Sequence, residues 1–507
     1  MASATSTTER PTGTPAPAPG RRRSVLVWTA VGALAGAALV LMAHRALIDD
    51  AYITLSYARN LVSDLHWGLI PTEESNAATS PLNVALLAAA TWLVSLVTGD
   101  IRPVVGFGVL TVVLCALLAG WAASTAQRLG RSGAWSAAVL AVVLANPFVN
   151  SSLGLEVVLT AALLAGLVDA AVRGSRVAFG VLAGLLVLTR LDLGVVVAVV
   201  FLLSPSVRRP FWTAPAIACL VALPWFAFSW WHFGSAIPDT FVIKTLQRSF
   251  GDATFANGLW ELWGPRGWLP LWLAVVPALI GLLLTIGMLV VARRLPRERW
   301  PIAGLGLGGV AYFAAYSGLG VPPYQWYYVP STTALAMAGV LGLAVLLPRV
   351  LGVVVPVLVV GVLAALSFVA LPEKTLVWDR AVYFGNWALP EQYRAIGTEV
   401  GRLVGEDTVA APPEIGALAF SCECSMVDAF SDRGRTLPLV QERIDAAGPV
   451  GRALLLANFA RLDRTLEPRE VQYQLVYTYE PAPPGVPSWP VWSPATGAAT
   501  LYLQPVT

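Results

Sequence analysis

Two aspartates stand side by side at Asp49 and Asp50, directly after an apolar run that ends at Ala43. A carboxylate at the mouth of a cavity can act as general base, taking a proton from a hydroxyl as it attacks a carbon centre. Adjacent carboxylates repel, which raises the proton affinity of one member. The pair also suits a solvated turn that caps the next helix. Of the two, Asp49 is the first choice as base. Four cations stand where they could stabilise an anionic leaving group: Lys244, Arg248, Arg190 and Arg59. Each also fits a side chain reaching from apolar surface to an interface. Glu156 sits at a helix start and could cap it or meet substrate. Asp192 lies beside Arg190 inside an apolar stretch, where an ionisable pair is by default a functional site. Tyr52 and His232 complete the set of candidate substrate contacts. His232 and His66 are isolated, which suits an interface rather than a metal.

These residues need a scaffold, and composition names its class. Of 507 residues, 56% are apolar and 12% charged. A soluble globular chain carries about 25% charged residues. The apolar residues fall in runs long enough to cross hydrocarbon, which takes roughly 20 residues each. The chain is therefore read as a polytopic α-helical membrane protein. A net charge of +3 argues against a nucleic-acid partner. From Leu371 to Thr507 there are 16 acidic and 11 basic residues, so the tail carries −5 and the rest +8. Lys and Arg gather on cytoplasmic loops, which places the acidic tail outside.

Residues 1–23 are rich in Pro, Ala, Thr and Ser and read as a disordered cytoplasmic N-terminus. Arg21, Arg22 and Arg23 precede an apolar run from Ser24 to Ala43, read as an uncleaved first span. Further runs centre near Ala89, Leu114, Leu140, Ala162, Ala183, Ala198, Ala222, Ile280, Val310, Ala336 and Val359. The total is about 11–13 spans within residues 24–371, with an outer loop at 45–80 carrying the Asp pair. The stretch from Val177 to Leu203 reads as two half-length helices broken at Thr189 to Asp192, which is tolerated where backbone lines a cavity. The basic loops place 150–156, 234–267 and the C-terminal domain outside. Arg128 and Arg131 conflict with that pattern by one crossing. Either Pro81 to Val97 does not fully cross, or this basic loop breaks the rule.

The stretch DDAYITLSYARNLV spaces Tyr52, Leu55, Ala58 and Val62 as an amphipathic helix suited to the outer interface. Residues 372–507 read as a small extracytoplasmic α/β domain, with VWDRAVYFG, DTVAAPPEIGALAF and VQYQLVYTY as strands or short elements. Cys115 and Cys219 lie in apolar runs and read as packing residues. Cys422 and Cys424 could form a disulfide, strained by the short separation. They have no second Cys/His pair nearby to make a zinc site. Trp67, Trp225, Trp230, Trp231, Trp326, Tyr327 and Tyr328 read mostly as an interfacial belt.

DDAYITLSYARNL and AATSPLNVALL together resemble the first extracytoplasmic loop of the GT-C superfamily of glycosyltransferases. SSLGLEVVLTAALL, LVLTRLDLGVVV, FGSAIPDTFVIKT, YQWYYVPSTTALA and PPEIGALAFSCECSMVDAFSDRGR follow in the superfamily's order and cover most of the chain. The likeness is greatest to actinobacterial arabinofuranosyltransferases and mannosyltransferases that use polyprenyl-phosphate sugars. Departures stand at Ser56, Leu191, Leu193 and Glu414. The resemblance implies an inverting transferase. A carboxylate of the Asp49/Asp50 pair would be the base, with Lys244 near the donor phosphate and an envelope glycan, glycolipid or glycoprotein as acceptor. It implies no cofactor and leaves a divalent cation open. A lipid-linked-sugar transporter or flippase would show inverted repeats and charges at mid-membrane depth. No repeat is found. A non-catalytic envelope assembly protein would tolerate loss of both aspartates.

Overall fold

The computed structural model describes residues 19–371 and 377–506. Helix α1 spans Pro19–Ala43 and α2 spans Asp49–Asp64; then come α3 (Pro81–Thr98), α4 (Pro103–Arg128), α5 (Trp135–Leu144), α6 (Pro147–Asn150) and α7 (Val157–Arg173). The chain continues through α8 (Arg176–Thr189), α9 (Gly194–Leu202), α10 (Pro205–Arg208), α11 (Thr213–His232) and α12 (Thr240–Gln247). The membrane part closes with α13 (Gly264–Arg266), α14 (Trp268–Val290), α15 (Trp300–Leu319), α16 (Gln325–Leu346) and α17 (Val354–Ala370). Among the described residues, seven helices are long and apolar enough to cross a membrane: α1, α3, α4, α11, α14, α15 and α16. Four shorter apolar segments accompany them: α5, α8, α17 and the stretch ending in α9. Nearly all of α16 is buried at the centre, while α1 and α11 turn most of their apolar surface outward.

The bundle has a basic end and a pocket end. At the basic end Arg131 donates to the Leu347 carbonyl, Arg349 lies beside Gly130, and Gly133 packs on Trp28 near the start of α1. Ser206 donates to the Ala171 carbonyl there, which brings the ends of α7 and α9 together. Helix α4 runs antiparallel to α1, with Gly120 against Thr29 and Gly108 against Val40. Gly32 permits this approach, since a side chain there would collide with the Cys115 carbonyl.

That pairing also bears on where α3 lies in the bundle. Val84, in the first turn of α3, lines the pocket, and Thr91 meets Gly106 near the start of α4. Helix α3 therefore begins and ends toward the pocket end of the bundle. Arg128 then falls at the basic end with the other arginines. The passages between the two ends are made by α1, α4, α5 with α6, α7, α8, α9, α11, α14, α15, α16 and α17.

Two local readings follow their sequence signals. In α2, Tyr52, Leu55 and Ala58 are buried and Val62 is half-buried, and Leu65 ends the helix with a left-handed φ of 56°. The expected break falls at Arg190, which is extended between α8 and a short 3₁₀ turn at Leu191–Leu193. Helices α8 and α9 thus form a hairpin whose tip is Arg190 to Asp192. Cys115 is buried as expected, whereas Cys219 is exposed on the outward face of α11.

The C-terminal unit holds α18 (Pro390–Val404), β1 (Val409–Ala410), α19 (Gly416–Cys422), β2 (Met426–Val427), α20 (Arg433–Asp445) and α21 (Pro449–Asn458). Strands β3 (Tyr473–Thr478), β4 (Ser488–Ser493) and β5 (Gly497–Pro505) complete it. The sheet order is β2-β1-β3-β5-β4. β1 pairs in parallel with β2 and β3, while β3–β5 and β5–β4 are antiparallel. Leu475, Val491, Leu501 and Leu503 supply buried residues to the sheet. The stretch VWDRAVYFG forms no strand. Its Trp378 and Tyr383 N–H groups donate to the Met42 carbonyl and Ser151 Oγ, and its aromatic side chains are buried against the membrane part. With those donors spent on separate partners, no ladder can form. Cys422 and Cys424 form a disulfide around Glu423, which has a left-handed φ of 54°.

Candidate active site

The start of α2 opens onto a cavity of about 410 Å³ at the pocket end. Its walls come from loop 77–80, α12, the turn at 262–266, the start of α16, and residues 385–386, 413–415 and 428–430. Asp49 and Asp50 occupy the first turn of α2, where negative charge complements the helix dipole. The preceding residue, Ile48, has no capping side chain. Asn386 replaces it from far along the chain: its Oδ1 accepts the Asp49 N–H at 3.3 Å. The same Asn386 donates through Nδ2 to Glu414 at 3.0 Å.

The two aspartates are used differently. Asp49 is buried and accepts from the Gly416 N–H at 2.9 Å and the Ala417 N–H at 2.7 Å. It thereby ties α2 to the start of α19. Gly416 is required there, because a side chain would strike the Asp49 backbone. Asp50 lines the cavity, and its own backbone N–H is the one protein donor turned toward its carboxylate among the described residues. Successive side chains on a helix point about 100° apart, so only one of an adjacent pair can face the cavity squarely.

Burial sets the proton affinities. It pushes Asp49 up to about 7, helped by repulsion from Asp50 and opposed by the two backbone donors. Burial also raises Asp50, with Lys244 opposing. Glu414 is pushed up to about 8 by burial and then by Asp49. It accepts from the Trp387 N–H at 3.0 Å and from the Tyr393 hydroxyl. Asp428, also in the wall, rises to about 6 through burial, opposed by the Phe430 and Ser431 N–H groups.

Lys244 projects from α12 and donates to the Tyr324 hydroxyl at 2.7 Å. Its Nζ lies 4.1 Å from the Tyr324 ring centroid and 5.3 Å from that of Phe430. Burial is the largest influence on Lys244 and disfavours its charge, but Tyr324 and Asp50 outweigh it and keep the ammonium protonated. Arg190 also reaches the cavity from the tip of the α8–α9 hairpin. It bonds Glu156 at 2.8 Å, Asp192 at 2.7 Å and the Tyr316 hydroxyl at 2.6 Å. Its guanidinium also stacks 5.0 Å over Tyr327.

Asp49, Asp50, Glu156, Arg190 and Lys244 therefore converge on one cavity. The other candidates lie elsewhere. Asp192 sits behind Arg190 and also bonds Tyr316. Tyr52 packs 5.3 Å from Phe420, on the side of α2 away from the cavity. Arg59 donates to the Phe420 carbonyl and to Glu423, so it fastens α2 to α19. Arg248 is exposed at the end of α12 with a left-handed φ of 56°. His232 meets Glu74 at 2.9 Å and stacks on Phe228 at the end of α11. Asn386, Asp428, Tyr324, Trp263 and Arg266 also line the cavity and were not singled out from sequence, and Glu414, noted there only as a departure from the resemblance, joins them. Glu414 had a visible signal, a carboxylate beside a Pro-Pro turn. Part of the expected aromatic belt is interior: Trp326 and Tyr327 line the cavity, and Trp67 and Tyr328 are buried. Among the described residues, no group of three or more His, Cys, Asp or Glu gathers as a metal site.

No family model matches the sequence. No curated protein matches it either. The fold is similar to that of ArnT from Cupriavidus metallidurans, whose crystal structure was determined bound to undecaprenyl phosphate. The TM-score is 0.54 at 14% identity, over 94% of this chain and 97% of that chain. At this identity the likeness establishes a shared architecture: an apolar helical bundle capped by a small C-terminal sheet domain.

Proposed function

We propose that this chain is a membrane glycosyltransferase of the GT-C type. It moves a sugar with inversion from a polyprenyl-phosphate donor to an acceptor hydroxyl on the outer face of the membrane. The observation that carries the reading is Asp50: a carboxylate with raised proton affinity, facing a cavity at the end of an apolar bundle that also holds a half-buried ammonium. In the proposed step Asp50 takes the acceptor's hydroxyl proton as the oxygen bonds to the anomeric carbon. The bond from that carbon to the phosphate oxygen breaks, and its electrons leave with the polyprenyl phosphate. Lys244 meets the charge that develops there. Asp49 orients α2 rather than taking the proton, which reverses the first choice made from sequence.

Support for the lipid donor comes from the shared architecture with ArnT, which held undecaprenyl phosphate. The arginine-rich end opposite the cavity supports an outward-facing pocket. The sugar is arabinofuranose or mannose and the acceptor an envelope glycan, glycolipid or glycoprotein, following the sequence resemblance. The test uses purified full-length protein in lipid with polyprenyl-phosphate arabinofuranose and mannose. Asp50→Asn should fold and bind donor but lose about 10²- to 10⁴-fold in transfer, the usual contribution of a positioned base. Near wild-type transfer by folded Asp50→Asn would refute the assignment.

A further inference from the structure

Helix α21 is amphipathic in an unusual sense for the surface of a water-exposed domain. Its Leu455, with Phe459 and Leu462 beyond, is buried against Val242 of α12 and Val440 and Ile444 of α20. The opposite stripe, Val450, Ala453, Leu454 and Ala457, has helical spacing and is exposed and wholly apolar. Val450 is 76% exposed and Leu454 68%. The helix has a single charged residue, Arg452, which leans toward Asp445 at 3.8 Å.

Neighbouring contacts fix the depth of this stripe. Trp230, in the last turn of α11, donates through Nε1 to the Ala457 carbonyl at 3.0 Å. Arg461 stacks 3.8 Å over Trp231. The backbone at 461–462 presses on Gly234, where a side chain would collide with it. Leu220, Leu223 and Trp231 form the outward apolar face of α11, which is long and apolar enough to span the bilayer. The exposed stripe of α21 is continuous with a lipid-facing surface and meets it at the end of a span.

We infer that α21 lies in the boundary between headgroups and acyl chains on the pocket side, with Val450 and Leu454 in lipid. The C-terminal unit then has its own membrane contact in addition to its attachment through α17. The contact reaches the cavity, because α21 packs on α20, and α20 packs on α12, the helix that carries Lys244. The Asn458 side chain also accepts the Ile237 N–H at 2.8 Å in the segment leading into α12. The inference rests on membrane embedding and stands whichever reaction the cavity performs.

The test uses the full chain with Cys115→Ser and Cys219→Ser, in nanodiscs of phosphatidylcholine and phosphatidylglycerol. Leu454→Cys, Val450→Cys and, as a solvent-facing control, Ser488→Cys each carry a polarity-sensitive fluorophore. An interfacial helix buries its apolar face about 5–10 Å into this boundary. Labels at 450 and 454 should emit blue-shifted light and be quenched severalfold more than the control by lipids bearing a nitroxide near the headgroup. Water-like emission at both positions would overturn the inference. So would blue-shifted emission that nitroxide lipids fail to quench, because a protein partner or a second copy would then cover the stripe.

Discussion

Two charged clusters share the cavity, and they are built on opposite principles. Around Arg190 every charge is answered from within the chain: Glu156, Asp192 and Tyr316 take its donors and Tyr327 covers its face. Around Asp50 the answers are incomplete. Its carboxylate has only its own N–H turned toward it among the described residues, and Lys244 donates to Tyr324 with further donors left. Burying charge is costly unless it is paired. A closed cluster meets that cost by itself and serves as scaffold. An open cluster keeps unmet capacity in a polar cavity, which a ligand carrying a hydroxyl and an anionic group would fill.

The contrast can be broken at either side. Arg190→Leu strips the closed cluster of its cation and leaves Glu156 and Asp192 unpaired. It should cost about 3–5 kcal/mol of stability, the usual result of removing one partner of a buried pair. Thermal unfolding of the purified protein measures this, and adding Glu156→Gln should recover part of the loss. Unfolding at the wild-type temperature would show that the Arg190 cluster is no scaffold. Lys244→Met acts on the open cluster. It should leave the unfolding temperature near wild type and lower transfer about 10²- to 10³-fold, as expected when one donor to a developing anion is lost. Unchanged turnover would reduce Lys244 to an interfacial cation.

A smaller effect sharpens the boundary between the clusters. Asp49 and Glu414 have ordinary values of 3.8 and 4.5 and are raised to about 7 and about 8 in the folded chain. The native state thus holds protons that the unfolded chain releases. The stability this confers is complete below the unfolded values and is lost as pH rises through the folded ones. The wild-type unfolding temperature should therefore fall between about pH 5 and pH 8.5, and Glu414→Gln should flatten the dependence of stability on pH by on the order of 1 kcal/mol per pH unit. An identical slope in Glu414→Gln would place the titration elsewhere.

The sequence made some of this legible through local periodicity and local breaks. The spacing of Tyr52, Leu55 and Ala58 gave α2, and the polar interruption at Thr189 to Asp192 gave the hairpin tip. Lys244 and Arg190 were visible as cations in apolar surroundings. For α3 the charge pattern left two readings open, because hydropathy registers its composition and not its contacts at Val84 and Thr91. Trp326 and Tyr327 resemble an interfacial belt until α12 and the C-terminal unit close over them. The division of labour between Asp49 and Asp50 depends on Gly416 and Ala417, at sequence separations of 367 and 368 from Asp49. No local pattern carries that information.

Those separations also order events during biosynthesis. The start of α2 is capped by Asn386, and the start of α19 is capped by Asp49, so each helix end waits for a distant part of the chain. At roughly 5–20 residues per second, α2 is made on the order of 20–70 s before α19 exists. A nascent or truncated chain can insert its bundle in that interval, but the cavity stays unassembled until translation nears completion. An unfinished copy in the membrane therefore lacks the wall that α19 and its neighbours give the cavity.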